Sequence, residues 1–301
     1  MPEAVISVQG LHKSYGDFEA VRGIDLEISR GEIFAFLGPN GAGKTSTVEV
    51  LEGFRTRDSG EVSVLGEDPA RADAAWRERV GFVLQQSKPD EYLTARESLQ
   101  LYAGYYRSPR SVDEVIDLVG LGAKADERAK NLSGGQQRRL EVGLALIGDP
   151  ELLFLDEPTT GFDPSARRQA WRVISNLRQL GKTIFLTTHY MDEAQFLADR
   201  AAIIVRGQIV AVGAPDELGK HTGADTEVRF RLPEGVPPAD LPVPTAEESD
   251  GFVILRTAEP VRVLHDLTAW AIQRDVKLTG LEVGRPSLEE IYLELTEQEA
   301  G

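Results

Sequence analysis

Ile33-Phe34-Ala35-Phe36-Leu37-Gly38-Pro39-Asn40-Gly41-Ala42-Gly43-Lys44-Thr45 is the stretch on which the fold turns. Ile33 to Leu37 is a short, continuous apolar run, the pattern of a strand buried on both faces as in a parallel sheet. It ends at Gly38, and a helix can begin near Gly43. Gly38 to Thr45 fits the phosphate-loop pattern G-x-x-x-x-G-K-[ST]. The glycines let the backbone curl so that successive N–H groups point at phosphate oxygens. Lys44 brings a compact positive charge to the same place, and the Thr45 hydroxyl suits Mg²⁺. A glycine-rich turn can match such a pattern by chance, so the strand before it and the helix after it matter.

Further out, residues 5–9 and 24–28 alternate apolar and polar positions, as strands of a sheet with one wet face do. Leu152 to Leu155 and Thr183 to Thr187 resemble Ile33 to Leu37 and predict two more buried strands. Pro164 to Leu180 and Asp192 to Asp199 have helical spacing. Strands alternating with helices predict an α/β architecture. Between residues 89 and 149 the apolar positions Leu93, Leu99, Leu101, Val112, Val115, Ile116 and Leu118 recur at helical spacing, which predicts an inserted helical subdomain.

Composition shifts near His221. Pro233, Pro237, Pro238, Pro242 and Pro244 mark a loop. Glu227 to Leu232, Phe252 to Arg256 and Val276 to Val283 read as strands. Val261 to Gln273 and Pro286 to Leu295 read as helices. Residues 221–301 are thus expected to form a small α+β C-terminal domain, beside a larger domain of residues 1–220.

The chain has 301 residues and a net charge of −16. Such acidity repels a phosphate backbone, so no nucleic acid partner is expected. There is no cysteine, which removes disulfides, thiolate metal sites and cysteine nucleophiles. No basic stretch precedes a long apolar one at the N-terminus, so no secretory signal is expected. The longest apolar runs, Leu152 to Leu155 and Ala201 to Val205, fall far short of the roughly 20 residues of a membrane-crossing helix. Work at a membrane would need another chain to cross it.

Two further stretches carry chemistry. Leu152-Leu153-Phe154-Leu155-Asp156-Glu157 is a buried strand ending in two acids. Carboxylates there are costly unless the strand tip employs them. Asp156 is placed to hold Mg²⁺, directly or through water, and Glu157 to polarise an attacking water as general base. A strand that simply ends in a charged turn is the plainer alternative. Leu132-Ser133-Gly134-Gly135-Gln136 is a glycine-rich turn opening a helix. Its free N–H groups can receive an anion, or Ser133 can be an ordinary helix cap.

Taken in order, these motifs resemble the nucleotide-binding domains of ABC transporters across residues 5–220, a P-loop NTPase fold of ABC type. Leu132 to Gln136 resembles the family's LSGGQ signature, and Leu152 to Glu157 its Walker B strand with the catalytic glutamate. Tyr15 stands where the family places an aromatic that stacks on adenine. Gln85, beside Gln86, resembles the glutamine that senses Mg²⁺ and the membrane partner. His189 resembles the switch histidine that contacts the γ-phosphate. Gly161-Phe162-Asp163 resembles the D-loop, with Phe162 where leucine is usual.

The resemblance implies ATP and Mg²⁺ as cofactors. Gly38, Pro39, Asn40, Gly41, Ala42, Gly43, Lys44, Thr45 and Ser46 would hold the phosphates, with Tyr15 and Gln85 on the same nucleotide. Ser133, Gly134, Gly135, Gln136 and Asp163 would complete the site. Lys44, Glu157 and His189 would be catalytic, and Thr45, Gln85 and Asp156 would serve the metal. In this family two domains sandwich two ATP molecules, each between the phosphate loop of one domain and the signature of the other. The expected partners are therefore a second nucleotide-binding domain, as a homodimer, and a polytopic membrane permease. The expected location is cytoplasmic, on the inner face of the cell membrane. Tyr190-Met191-Asp192-Glu193-Ala194 and Pro286-Ser287-Leu288-Glu289-Glu290-Ile291-Tyr292 resemble subunits that serve ABC-2-type exporters, including daunorubicin-type multidrug resistance systems. A stabilising cap and a regulatory element remain alternative readings of the tail. An ABC ATPase acting on a soluble assembly is the alternative function.

Overall fold

The run Ile33–Leu37 is strand β3, and all five of its residues are buried. It lies in the interior of a six-stranded sheet of order β5-β6-β7-β3-β8-β9. The other members are β5 (Val80–Val83), β6 (Leu152–Asp156), β7 (Thr183–Thr188), β8 (Arg200–Val205) and β9 (Gln208–Gly213). All neighbours pair in parallel except β8 and β9, which form an antiparallel hairpin. A strand covered on both faces favours apolar residues on both, which is why β3 is apolar throughout and β6 and β7 carry the continuous runs Leu152 to Leu155 and Ile184 to Leu186. The computed structural model describes residues 3–84, 88–218, 226–233, 235–243, 247–249, 251–284 and 292. These fall into two compact units, divided between Pro215 and Asp216.

In the first unit a second sheet, order β2-β1-β4, is built from β1 (Ala4–Tyr15), β2 (Phe18–Ser29) and β4 (Ser59–Val64). It is antiparallel, and its inward residues Ile6, Val8, Leu11, Ile24 and Ile28 join one core with Phe34, Phe36, Phe154 and Phe185. Phe82 and Phe154 stack at 5.8 Å, and Phe154 meets Phe185 at 5.5 Å, so adjacent strands are tied through a row of rings. Helix α1 (Lys44–Leu51) adds Val48, Val50 and Leu51 to that core, and α2 (Ala74–Glu78) adds Trp76.

The inserted helices are α3 (Ala95–Ala103), α4 (Val112–Leu118) and α5 (Gly134–Leu146), with α6 (Pro164–Gln179) and α7 (Met191–Leu197) following in the main layer. Thr94 and Glu97 form a reciprocal capping box that starts α3, and Ser133 and Gln136 do the same for α5.

In the second unit β10 (Thr226–Arg231), β11 (Glu247–Ser249), β12 (Phe252–Thr257) and β13 (Thr279–Gly284) form an antiparallel sheet of order β11-β12-β10-β13. Helix α8 (Pro260–Gln273) packs Leu267, Trp270 and Ala271 against Val228, Phe230, Val253 and Leu255. The last strand starts three residues later than the apolar pattern predicts. Asp275 takes φ 56°, and the N–H groups of Asp275 and Val276 bond back to Ile272 and Ala271. That closure of the helix end occupies Val276. The helix expected at Pro286 to Leu295 lies outside the described residues, as does the expected boundary at 220/221.

Candidate functional site

Parallel pairing brings the ends of β3, β6 and β7 level, with Leu37 opposite Thr188 and Asp156 opposite Thr187. The carboxyl ends of such strands are where α/β sheets bind ligands. The phosphate loop leaves β3 there, the acid pair leaves β6, His189 leaves β7, and Leu84 follows β5. Gln85, the expected metal and nucleotide residue on the next position, lies outside the described residues.

The loop glycines are required by space. A Cβ on Gly38 would lie 2.4 Å from the Ile204 carbonyl, and one on Gly43, at φ 107°, would lie 2.3 Å from the Ala20 carbonyl. Gly43 precedes α1, so the loop's N–H groups gather at a helix start, where an anion is favoured. The Lys44 ammonium donates to the carbonyls of Gly38 at 2.6 Å and Pro39 at 3.1 Å. Burial pulls its pKa down, against the opposing pull of the Glu157 and Asp156 charges. Thr45 is exposed, which leaves its hydroxyl open to a ligand. The Ser46 hydroxyl meets the Tyr15 hydroxyl at 3.1 Å, tying the aromatic to the loop. The Arg55 guanidinium lies 5.2 Å from the Tyr15 ring centre and pairs with Glu49.

Thr187 organises the acids. Its hydroxyl donates to Asp156 Oδ1 at 2.5 Å and accepts from the Glu157 N–H at 3.1 Å. The Thr187 carbonyl also accepts that N–H, at 3.2 Å. Glu157 has φ 46°, a left-handed conformation that a side-chain-bearing residue rarely takes. Its Oε2 accepts from Thr160 at 3.0 Å, and its Oε1 stands 3.3 Å from His189 Nδ1. The His189 ring lies against Tyr190 at 4.1 Å, and Arg167 covers Tyr190 at 4.0 Å.

The structure thus brings Lys44, Asp156, Glu157 and His189 into one site. Ser133, Gly135, Gln136 and Asp163 line a different cavity of about 250 Å³, together with Arg139. Ser133 is exposed there, as is the neighbouring Gly134 outside the lining, while the Gln136 side chain is engaged by the Ser133 N–H at 2.9 Å. Asp163 caps α6, accepting from Ser165 at 2.8 Å and Ala166 at 3.0 Å. The Ala166 and Ser165 N–H groups hold its carboxyl below the usual range. Ser133 is therefore a helix cap, as the plainer reading had it, and also an exposed group on a cavity wall.

Among the described residues no cluster of three His, Asp or Glu could hold a metal by itself. Mg²⁺ does not need one, since it takes one or two carboxylates, waters and substrate phosphates. The oxygen donors Asp156 and Thr45 fit that mode.

Three positioning groups were not read from the sequence. Thr187 and Thr160 are two. The third is Arg138, buried on α5, which donates to the carbonyls of Leu84 at 2.7 Å, Asp156 at 2.6 Å, Glu157 at 3.4 Å and Pro158 at 3.3 Å. It also pairs with Glu141 at 2.5 Å. The available signal was Arg138 and Glu141 at i,i+3 at the start of the apolar stretch of α5, a spacing that puts opposite charges side by side.

Residues 21–160 match the family described as ABC transporter, and residues 226–287 match the family described as ABC transporter domain-containing protein-like, C-terminal domain. The chain is 35% identical over 306 residues to a daunorubicin resistance ATP-binding protein of Streptomyces coeruleorubidus, covering 98% of this chain and 97% of that one. It is 33% identical to a linearmycin resistance ATP-binding protein of Bacillus subtilis (97% and 98% covered). It is 38% identical to a Nod factor export ATP-binding protein of Rhizobium sp. strain N33 (99% of both). Among solved structures, an ABC transporter complex subunit from Clostridium perfringens superposes with TM-score 0.67 at 26% identity, over 73% of this chain and 92% of that one. A dimeric ATP-binding cassette in a post-hydrolysis state with ADP and Pi superposes with TM-score 0.61 at 25% identity, over 69% and 98%. The chain belongs to the ABC transporter family. It is an ATP-binding subunit with the fold of an ABC ATPase, and among its described residues no helix is long and apolar enough to cross a membrane.

Proposed function

We propose that this chain binds MgATP and hydrolyses it as a head-to-tail dimer of two copies, powering a membrane exporter of a drug, antibiotic or similar compound. The observation that carries the reading is the convergence of Lys44, Asp156, Glu157 and His189 at the carboxyl ends of β3, β6 and β7. The relatives' names support export, and the dimeric cassette supports the pairing.

The loop N–H groups and the Lys44 ammonium would take the β- and γ-phosphates in place of the Gly38 and Pro39 carbonyls that now engage the lysine. Tyr15 would stack on adenine. Asp156 and Thr45 would hold Mg²⁺, with Gln85 beside them, and the ion would neutralise charge on the bridging phosphate oxygens. Glu157 would accept the proton of the attacking water, and His189, held beside it, would contact the γ-phosphate. Phosphoryl transfer of this kind depends on positioning and charge stabilisation more than on covalent chemistry. The exposed Ser133 and Gly134 and the half-buried Gly135 would close over the ATP of the second copy; the separate cavity that Ser133, Gly135, Gln136 and Asp163 line supports this reading. Residues 1–220 would perform this work and residues 221–301 would be accessory. A polytopic permease would hold the dimer at the inner face of the membrane.

The test is Glu157→Gln. It is expected to bind ATP like the parent and to lose turnover by about 10²–10⁴-fold, the usual contribution of a positioned general base. Trapped with MgATP in detergent extracts, the variant should co-purify with a stoichiometric polytopic membrane protein. Near-normal turnover removes Glu157 from the base role, and recovery of the chain without a membrane partner removes the exporter reading.

A further inference from the structure

The buried Arg138 guanidinium makes one connection among three functional segments. It arises from the signature helix α5, holds the Leu84 carbonyl just past β5, and grips the consecutive carbonyls of Asp156, Glu157 and Pro158, from the last residue of β6 onward. Glu141 fixes its orientation at 2.5 Å. The turn that it grips is the one in which Glu157 adopts φ 46°. Such a backbone persists only where the surroundings over-determine it. The Glu157 N–H is fixed by Thr187 on one side, and the carbonyls on the other side are fixed by Arg138. A planar guanidinium presents five N–H donors in a fixed fork, enough for these four carbonyls and Glu141, whereas an ammonium has three donors on a flexible stem.

We propose that Arg138 is a positioning residue for hydrolysis: it holds the Glu157 turn in its left-handed form and ties it to the end of β5. This rests on the assignment of Glu157 as the base. Arg138 touches neither nucleotide nor water in this scheme and acts only through the placement of Glu157. A shift of Leu84 is thereby felt at the catalytic turn through one side chain.

The test is a double-mutant cycle on the full chain, with turnover expressed per nucleotide-binding site counted with a fluorescent ATP analogue. Arg138→Lys is expected to lower kcat by at least ~10-fold while KM for ATP stays within ~3-fold, the pattern of an interaction that acts on the reacting geometry and not on ground-state binding. In the Glu157→Gln background the same substitution should change the residual single-turnover rate by less than ~2-fold, because residues acting as a unit are not additive. Glu141→Gln leaves the guanidinium in place but loosens it. It should show a smaller loss with the same dependence on Glu157, and it decides the matter if Arg138→Lys does not fold. An unchanged kcat in a folded variant, or an equal loss in both backgrounds, overturns the proposal. Near-normal turnover in Glu157→Gln alone overturns the assignment of the base, and the proposal with it. An inactive Glu157→Gln beside an unimpaired Arg138→Lys overturns the proposal only.

Discussion

Replacing Thr187 by valine removes one hydroxyl and keeps nearly the same shape in a buried strand. That hydroxyl donates to the Asp156 carboxylate at 2.5 Å and accepts the Glu157 N–H at 3.1 Å. A hydrogen bond to a charged group is worth about 1.5–3 kcal/mol and a neutral one about 1 kcal/mol. The Glu157 N–H keeps the Thr187 carbonyl, at 3.2 Å, so its loss is partial. The sum is about 3 kcal/mol, equivalent to a fall of about 6–12 °C in the melting temperature of a unit this size. Activity should suffer more than stability, since both acids lose their common anchor, and kcat should fall by about 10–100-fold. Thr187→Ser is the control: it keeps both bonds and loses only a methyl group, about 1 kcal/mol. Thermal unfolding followed by far-UV circular dichroism, with steady-state ATPase on the same samples, reads both effects. A Thr187→Val protein that melts and turns over like the parent refutes the reasoning, as does a Thr187→Ser protein damaged equally.

Glu52, buried at the end of α1, has its carboxyl pushed up from 4.5 to about 8 by burial, with smaller contributions from the Asp156 and Glu49 charges. Its folded pKa is raised, so its contribution to stability is fully present below pH 4.5 and is lost as pH rises through about 8. Glu52→Gln should flatten that loss, which is on the order of 4 kcal/mol, in urea titrations at pH 5 and pH 8. Parallel pH profiles for the two proteins would contradict it. Glu193 is fully buried and accepts from Thr159 at 2.7 Å and Trp171 at 2.9 Å, joining α7 to the segment after β6 and to α6. Glu193→Ala strands both donors and should cost about 3–5 kcal/mol. Glu193→Gln retains an acceptor oxygen and should recover at least half of that in denaturant melts. Equal destabilisation by both substitutions would show that the two hydrogen bonds are not what Glu193 contributes.

Legibility differed from residue to residue. Gly38 to Thr45 could be read because the glycines, the lysine and the threonine act within one contiguous loop whose geometry is local. Ile33–Leu37, Leu152–Asp156 and Thr183–Thr188 are recognisable because a strand covered on both faces carries an uninterrupted apolar run, here Ile33 to Leu37, Leu152 to Leu155 and Ile184 to Leu186. Strand β4, Ser59-Gly60-Glu61-Val62-Ser63-Val64, buries only its two valines and gives no strand signal in the sequence. Ala201 to Val205 reads in the sequence only as an apolar run, and the structure makes it part of a hairpin with β9.

By itself the sequence determined the three strands Ile33–Leu37, Leu152–Asp156 and Thr183–Thr188 at the centre of the ATP-binding unit, and the loop expected to receive phosphate, because burial pattern and loop composition are written along the chain. Only the tertiary structure decided that β6, β7 and β3 lie side by side out of chain order. It alone decided that Thr187 anchors both acids, and that one arginine on the signature helix grips the catalytic turn. Those contacts join residues 31 apart in the case of Thr187 and Asp156, and 54 apart in the case of Arg138 and Leu84. The Thr187 hydroxyl meets the Asp156 carboxylate only once β6 and β7 pair, and a hydrogen bond from Arg138 to a backbone carbonyl leaves no mark on the identity of the residue that accepts it, so no pattern in the chain announces either partner before the sheet has formed.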